Sequence, residues 1–159
     1  MIRMKRLLST ILLLSVLPLS LDSARADVIV QRTPGEGLQP RMVQDADGII
    51  HLLYFKKRLN RPAAREGNLY YRQYDAEQQR FGSPVKVSSQ AFAMQTFSIA
   101  RAAVDVDGEG RIHVMWYMPR ESEFNYTRSN PERSQFEPLR SMVSQYAKGI
   151  DAGGEVAAR

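Results

Sequence analysis

Two histidines are the only imidazoles in the chain, and both sit inside apolar runs: GIIHLLYF from Gly48 and GRIHVMWY from Gly110. A histidine so placed could be a general base, a metal ligand or a packing group. His51 and His113 lie 62 residues apart, with no HxH or HExxH spacing around either. That is a poor ligand set for zinc. Asp-x-Asp-Gly at Asp45 and Asp105 matches part of a calcium loop. The glutamate that a full loop carries six residues past its glycine is missing, so a hairpin turn is the better reading. There is no cysteine and no serine elbow for a nucleophile. A glycosidase needs two carboxyl groups about 5–10 Å apart. Glu66, Glu121 and Glu123 are the candidates, and nothing in the sequence marks any of them with a raised pKa. No catalytic residue, metal or cofactor is assigned.

Arginine offers a binding chemistry instead. The stretch KKRLNRPAAREG, residues 56–67, sets Lys56, Lys57, Arg58, Arg61 and Arg65 against one acid, Glu66. A planar guanidinium can hold two oxygens of a carboxylate or sulfate at once. Arg41 and Arg101 are expected near the same rim. The candidate ligand-binding set is therefore Arg41, Arg58, Arg61, Arg65 and Arg101. Its ligand would be an acidic glycan (a sialic acid, a uronic acid or a sulfated sugar) or another extracytoplasmic anion. The competing reading is a solvated loop whose charges keep an insertion soluble. Trp116 and Tyr117 could stack on a sugar ring, but at the end of an apolar strand they read as core.

The elements that must position these residues are strands. Short runs of Val, Ile, Tyr and Phe alternate with Gly, Pro, Asn and Asp clusters, the pattern of an all-β chain. RMVQDADGIIHLLYF from Arg41 repeats as AVDVDGEGRIHVMWY from Ala103 at an offset of 62. His51 thus pairs with His113, Gly48 with Gly110, and Asp45 with Asp107. Further on, NLYYRQYDAEQQRFGSPVKV from Asn68 matches FNYTRSNPERSQFEPLRS from Phe124 at offsets of 55 and then 54. Tyr71 pairs with Tyr126 and Phe81 with Phe136. Each unit reads as four strands: 40–45, 49–55, 68–74 and 84–88, then 100–105, 111–117, 124–128 and 138–143. Both faces of HLLYF and HVMWY are apolar, which suits propeller blades packed on both sides. The alternative is a small β-sandwich. A recurring histidine fills a recurring structural pocket, with a ring nitrogen bonded to backbone or to a neighbouring turn.

The ends of the chain read differently. Arg3, Lys5 and Arg6 precede the apolar run LLSTILLLSVLPLSL, which closes in DSARA. Residues 1–26 read as a secretory signal peptide cleaved after Ala26, placing the protein in the periplasm or outside the cell. The run falls short of the roughly 20 apolar residues of a membrane anchor, so no membrane span is expected after cleavage. Removing the segment takes away four cations and one acid, which lowers the net charge from +5 to +2. A nucleic-acid partner is therefore not implied. The residues GIDAGGEVAAR read as the opening strand of a third unit. A propeller closes with about four to eight blades, so residues 27–159 are expected to be part of a larger array. That array has blade units at 38–90 and 97–144 and a stub at 145–159, and oligomers are expected through open blade faces.

The D-x-D-G-x-x-H-apolar-aromatic pattern, followed by Tyr and then Phe, resembles the sialidase-like propellers with Asp-box (bacterial neuraminidase) repeats. An Asp-box runs Ser-x-Asp-x-Gly-x-x-Trp in a hairpin. Ser129 to Phe136 and Tyr74 to Phe81 match its ends, while Pro131, Arg133, Ala76 and Gln78 stand at its Asp and Gly positions. The family's first-strand Arg-x-Pro is absent, since Leu38 and Gln39 precede Pro40. The resemblance implies a partial propeller of two four-stranded antiparallel blades plus the start of a third. It implies a glycan-binding or structural module without independent catalysis. Two alternatives are the N-terminal part of a sialidase-like glycoside hydrolase and an extracytoplasmic scaffold for protein partners.

Overall fold

A computed structural model describes residues 28, 30–58, 65–94, 102–118, 123–144 and 155–159. The chain divides into Met1–Val30 and Gln31–Arg159. In the first part only Val28 and Val30 are described, and both are exposed. The expected signal peptide, Arg61, Arg101 and Glu121 lie outside the described residues.

Gln31–Arg159 is all-β, and its strands form two antiparallel sheets. The first sheet contains β1 (Leu38–Gln44), β2 (Ile50–Lys57), β3 (Glu66–Asp75) and three short strands on the far side of β3. These are β4 (Arg80–Phe81), β5 (Val85–Lys86) and β6 (Phe92–Ala93). The second sheet runs β7 (Ala103–Val106), β8 (Ile112–Met118), β9 (Glu123–Arg128) and β10 (Arg140–Ser144) as a plain meander. β1 and β7 lie beside each other.

The expected fourth strand of the first unit, 84–88, is present but short, and a further short strand follows it. β5 pairs with Tyr70 and Tyr71, and Val87 N–H continues the ladder to the Leu69 carbonyl. The chain then bends out and returns as β6 against Glu66 and Gly67. Buried Asn68 causes the detour. Its amide donates to Ser88 Oγ at 2.9 Å and to the Gln90 carbonyl at 2.9 Å, while Ser88 Oγ accepts from Leu69 N–H. Burying these polar groups is tolerable because each finds a partner.

Alternation along the strands sorts the side chains. On β2, His51, Leu53 and Phe55 share one face, and Leu52 and Tyr54 share the other. All five are buried, as expected for a strand covered on both sides. The first face meets the second sheet. Leu53, Phe55, Leu69, Tyr71 and Phe92 form one core with Ile112, Val114, Trp116 and Met118. Phe92 is the hinge of this packing: it meets Phe55 edge-on at 5.5 Å and stacks near Trp116 at 5.9 Å. The opposite face of β2 is covered in part by a single 3-10 turn, Pro34–Glu36, and the residue after it. A Cβ on Gly37 would stand 2.3 Å from Tyr54 Cδ2, so only glycine lets this segment lie on the Tyr54 ring. Among the described residues no helix is long and apolar enough to cross a membrane.

Candidate functional site

The β1–β2 and β7–β8 connections are the same three-residue hairpin loop, built twice. Asp45 N–H bonds the Ile49 carbonyl and Gly48 N–H bonds the Asp45 carbonyl; Asp107, Arg111 and Gly110 repeat both bonds. Gly48 and Gly110 take φ of 81° and 77°, the positive φ that closes such a loop. The aspartate side chain completes the turn. Asp45 Oδ1 accepts from the Asp47 and Ile49 N–H groups at 3.1 and 2.8 Å. Asp107 Oδ1 accepts from Glu109 and Arg111 at 2.9 Å each.

This leaves Oδ2 for the histidine. His51 Nε2 lies 2.9 Å from Asp45 Oδ2, and His51 Nδ1 lies 2.8 Å from the Tyr71 hydroxyl. In the second sheet, His113 makes the same two bonds, to Asp107 at 2.9 Å and to Tyr126 at 2.7 Å. The register explains why. His51 sits opposite Gln73 and His113 opposite Arg128, so each tyrosine is the diagonal neighbour two residues away on the same face, within reach of a long side chain. Each trio therefore ties a turn, a central strand and the next strand together. Of the described Asp and His residues in this arrangement, none approaches a third metal-ligating group, and no cluster suited to a metal ion occurs among the described residues.

Electrostatics fix the protons. Burial drives the His51 pKa below its ordinary value, against the opposing pull of Asp45. Burial alone would raise Asp45, but bonds from His51 and from the Ile49 and Asp47 amides outweigh it and hold the carboxyl below its usual range. Burial pushes Tyr71 up to about 12. Neutral His51 thus donates Nε2–H to the carboxylate and accepts the Tyr71 proton at Nδ1. A relay of this kind could in principle activate a tyrosine. His51 and Tyr71, however, are 0% and 2% exposed, so no substrate reaches the first trio, and the second repeats its geometry bond for bond.

A pH dependence follows. Below about pH 6.5, the ordinary histidine value, the unfolded chain takes up a proton that folded His51 resists, so stability declines as pH falls. Asp45 adds a loss of the same sign lower, through the carboxylate range. Above about pH 10 the unfolded tyrosine ionises before Tyr71 does, so stability also declines on the alkaline side. Urea midpoints across this range should trace a plateau with two falling edges. A midpoint that rises on acidification below pH 6 would contradict the neutral assignment of His51.

The arginine candidates are scattered. Arg58 and Arg65 are exposed and flank the β2–β3 loop, where Arg58 N–H extends the ladder to the Glu66 carbonyl. Arg41 pairs with Leu53 in register, five residues up the strand from Arg58, or about 17 Å. Its guanidinium is engaged at 2.5 Å by Glu155. Arg41 therefore does not join the loop arginines. Glu66 opens β3 and Glu123 opens β9. Trp116 and Tyr117 are buried in the second sheet.

One cluster escaped the sequence reading. Arg128 Nε donates to Glu137 Oε1 at 2.8 Å and Arg140 Nη2 to Oε2 at 2.8 Å, with Arg111 Nη1 at 3.9 Å. Its hydrogen bond from Arg128 holds the Glu137 carboxyl below its usual range. The three arginines come from a span of 30 residues and from three different segments, so no local motif announces them. The signal was in the repeat itself: Arg111 and Arg128 replace Ile49 and Gln73. The chain matches no family model and no curated protein.

Proposed function

We propose that this chain is an exported, non-catalytic module of propeller-blade type that holds an acidic glycan at the β2–β3 loop of its first unit. What supports this reading is the twofold occurrence of the Asp-His-Tyr trio. The residues best suited to acid–base work are used as identical structural ties, one of them wholly buried. The chemistry left at the surface is guanidinium: exposed Arg58 and Arg65 flank one loop, with Arg61 between them in sequence. Two meanders related by a repeat, with β1 beside β7, suit neighbouring blades of a sialidase-like array.

The test has two arms. A fluorogenic sialoside should show no turnover with the chain, and turnover would end the non-catalytic reading. Retention on an acidic-glycan resin should drop when Arg58 and Arg65 are replaced by alanine. Each lost charge-assisted pair corresponds to about 1.5–3 kcal/mol, or roughly tenfold or more in affinity. Unchanged retention by the double variant would remove the loop from the binding site.

A further inference from the structure

The turn side that the first sheet presents to the second recurs on the second sheet. Inside the chain, the hairpin Ser129–Phe136 of the second repeat reaches the turn of the first. Phe136 meets the Tyr71 ring edge-on at 6.0 Å, and the Arg133 guanidinium stands 4.0 Å from Asp45 Oδ2. On the far face of the second sheet, Asp107, His113 and Tyr126 present the same turn side. Asp107 takes the Arg111 backbone N–H and feels the Arg128 charge from farther off, but among the described residues no guanidinium stands within 4.0 Å of its carboxylate and no aromatic ring but His113 meets Tyr126.

The first sheet carries the complement. At the turn end of the first sheet, an open groove of about 640 Å³ lies between the β1–β2 turn and the β3–β4 hairpin. Ile50 and Tyr74 line it, and Asp47, Asp75 and Glu77 rim it. Exposed Met42, the register partner of Leu52, lies on the face of β1 and β2 away from the second sheet. The segment Pro34–Gly37 covers the Tyr54 end of the sheet and leaves the groove end open.

The substitutions between repeats fit these two surfaces to each other. Where the first repeat has neutral Ile49 and Gln73, both in the groove lining, the second has Arg111 and Arg128, joined by Arg140, which stands where the first repeat has Lys86. Glu137 takes Arg128 and Arg140, and Glu109 leans on Arg111 at 3.3 Å. Three guanidiniums still have more N–H donors than these two carboxylates can accept. The groove hairpin supplies acceptors: Asp75 and Glu77, with Asp47 across from them and Arg80 turned onto Gln78.

We propose that copies of this chain associate head to tail, the arginine-bearing face of the second sheet in one copy docking on the acid-rimmed groove of the first sheet in the next. The contact is heterologous, so every open oligomer keeps one free head and one free tail unless a ring closes. It does not depend on what the basic loop binds.

Sedimentation of the purified chain should show self-association that weakens with added salt. Arg128→Glu with Arg140→Glu should weaken association at least about tenfold. Asp75→Lys with Glu77→Lys on the other surface should do the same. Mixing the two variants should restore association, because each then offers the sign the other lacks. Circular dichroism confirms that each variant is folded; if one pair fails to fold, the other pair and the salt dependence carry the test. A chain that stays monomeric up to about 1 mM, association indifferent to both pairs, or variants that do not rescue one another in the mixture would each overturn the proposal.

Discussion

Asp45→Ala is expected to lower the stability of the chain by about 3–5 kcal/mol, read as a shift of the urea unfolding midpoint. One carboxylate serves three donors, the Asp47 and Ile49 amides and His51 Nε2. Its removal strands a fully buried imidazole, whose Nε2–H then has no acceptor. The turn amides can turn to water, so the histidine dominates the cost. His51→Ala in the Asp45→Ala background should add far less than His51→Ala alone, because the pair acts as one tie. Asp107→Ala removes the same set of bonds in the second repeat, but the His113 side chain is 14% exposed. Water can reach it, and a smaller loss of about 1–3 kcal/mol is expected there. Equal losses at the two sites would show that burial of the histidine does not set the cost.

Trp116→Ala should cost a similar amount, about 3–5 kcal/mol. Trp116 is 2% exposed, and its ring lies near Phe92, which in turn meets Phe55 of the other sheet. Truncation opens a cavity in the joint core rather than in one sheet, so both repeats should lose protection together in hydrogen exchange. Trp116→Phe should cost less than its volume loss suggests. The indole Nε1 is buried without a hydrogen-bond partner, and phenylalanine removes that unpaired donor. A Phe variant as unstable as the Ala variant would show that the lost volume alone decides.

The histidines show how much a repeat can reveal. Gly48 with Gly110, Asp45 with Asp107 and Tyr71 with Tyr126 were all legible from alignment of the two units. Recurrence alone argued that the imidazoles are structural. The sequence reading reached a ring nitrogen bonded to a neighbouring turn; it did not name the tyrosine hydroxyl on the other nitrogen, although the pairing of Tyr71 with Tyr126 already held it. The return of the chain as β6 was not legible, because it depends on where the Asn68 amide finds acceptors, twenty residues away. Nor was the engagement of Arg41, since its partner Glu155 lies 114 residues on. The Arg111, Arg128 and Arg140 cluster was missed for a different reason. Arg111 and Arg128 lie in aligned positions that differ between the copies, and Arg140, aligned with Lys86, joins them only through Glu137.

The two trios also bear on the order in which the chain folds. His51 and Tyr71 are 20 positions apart, and His113 and Tyr126 are 13 apart. Closing the longer loop costs only about 0.4 kcal/mol more in chain entropy, less than a factor of two in population. Neither meander therefore has a decisive head start, and each can begin from contacts within its own stretch of chain. Phe92, Trp116, Tyr71 and Phe136 then meet only once both are in place. The transition state is expected to contain the local ties and to lack the joint core, so substitutions at Trp116 should speed unfolding more than they slow folding.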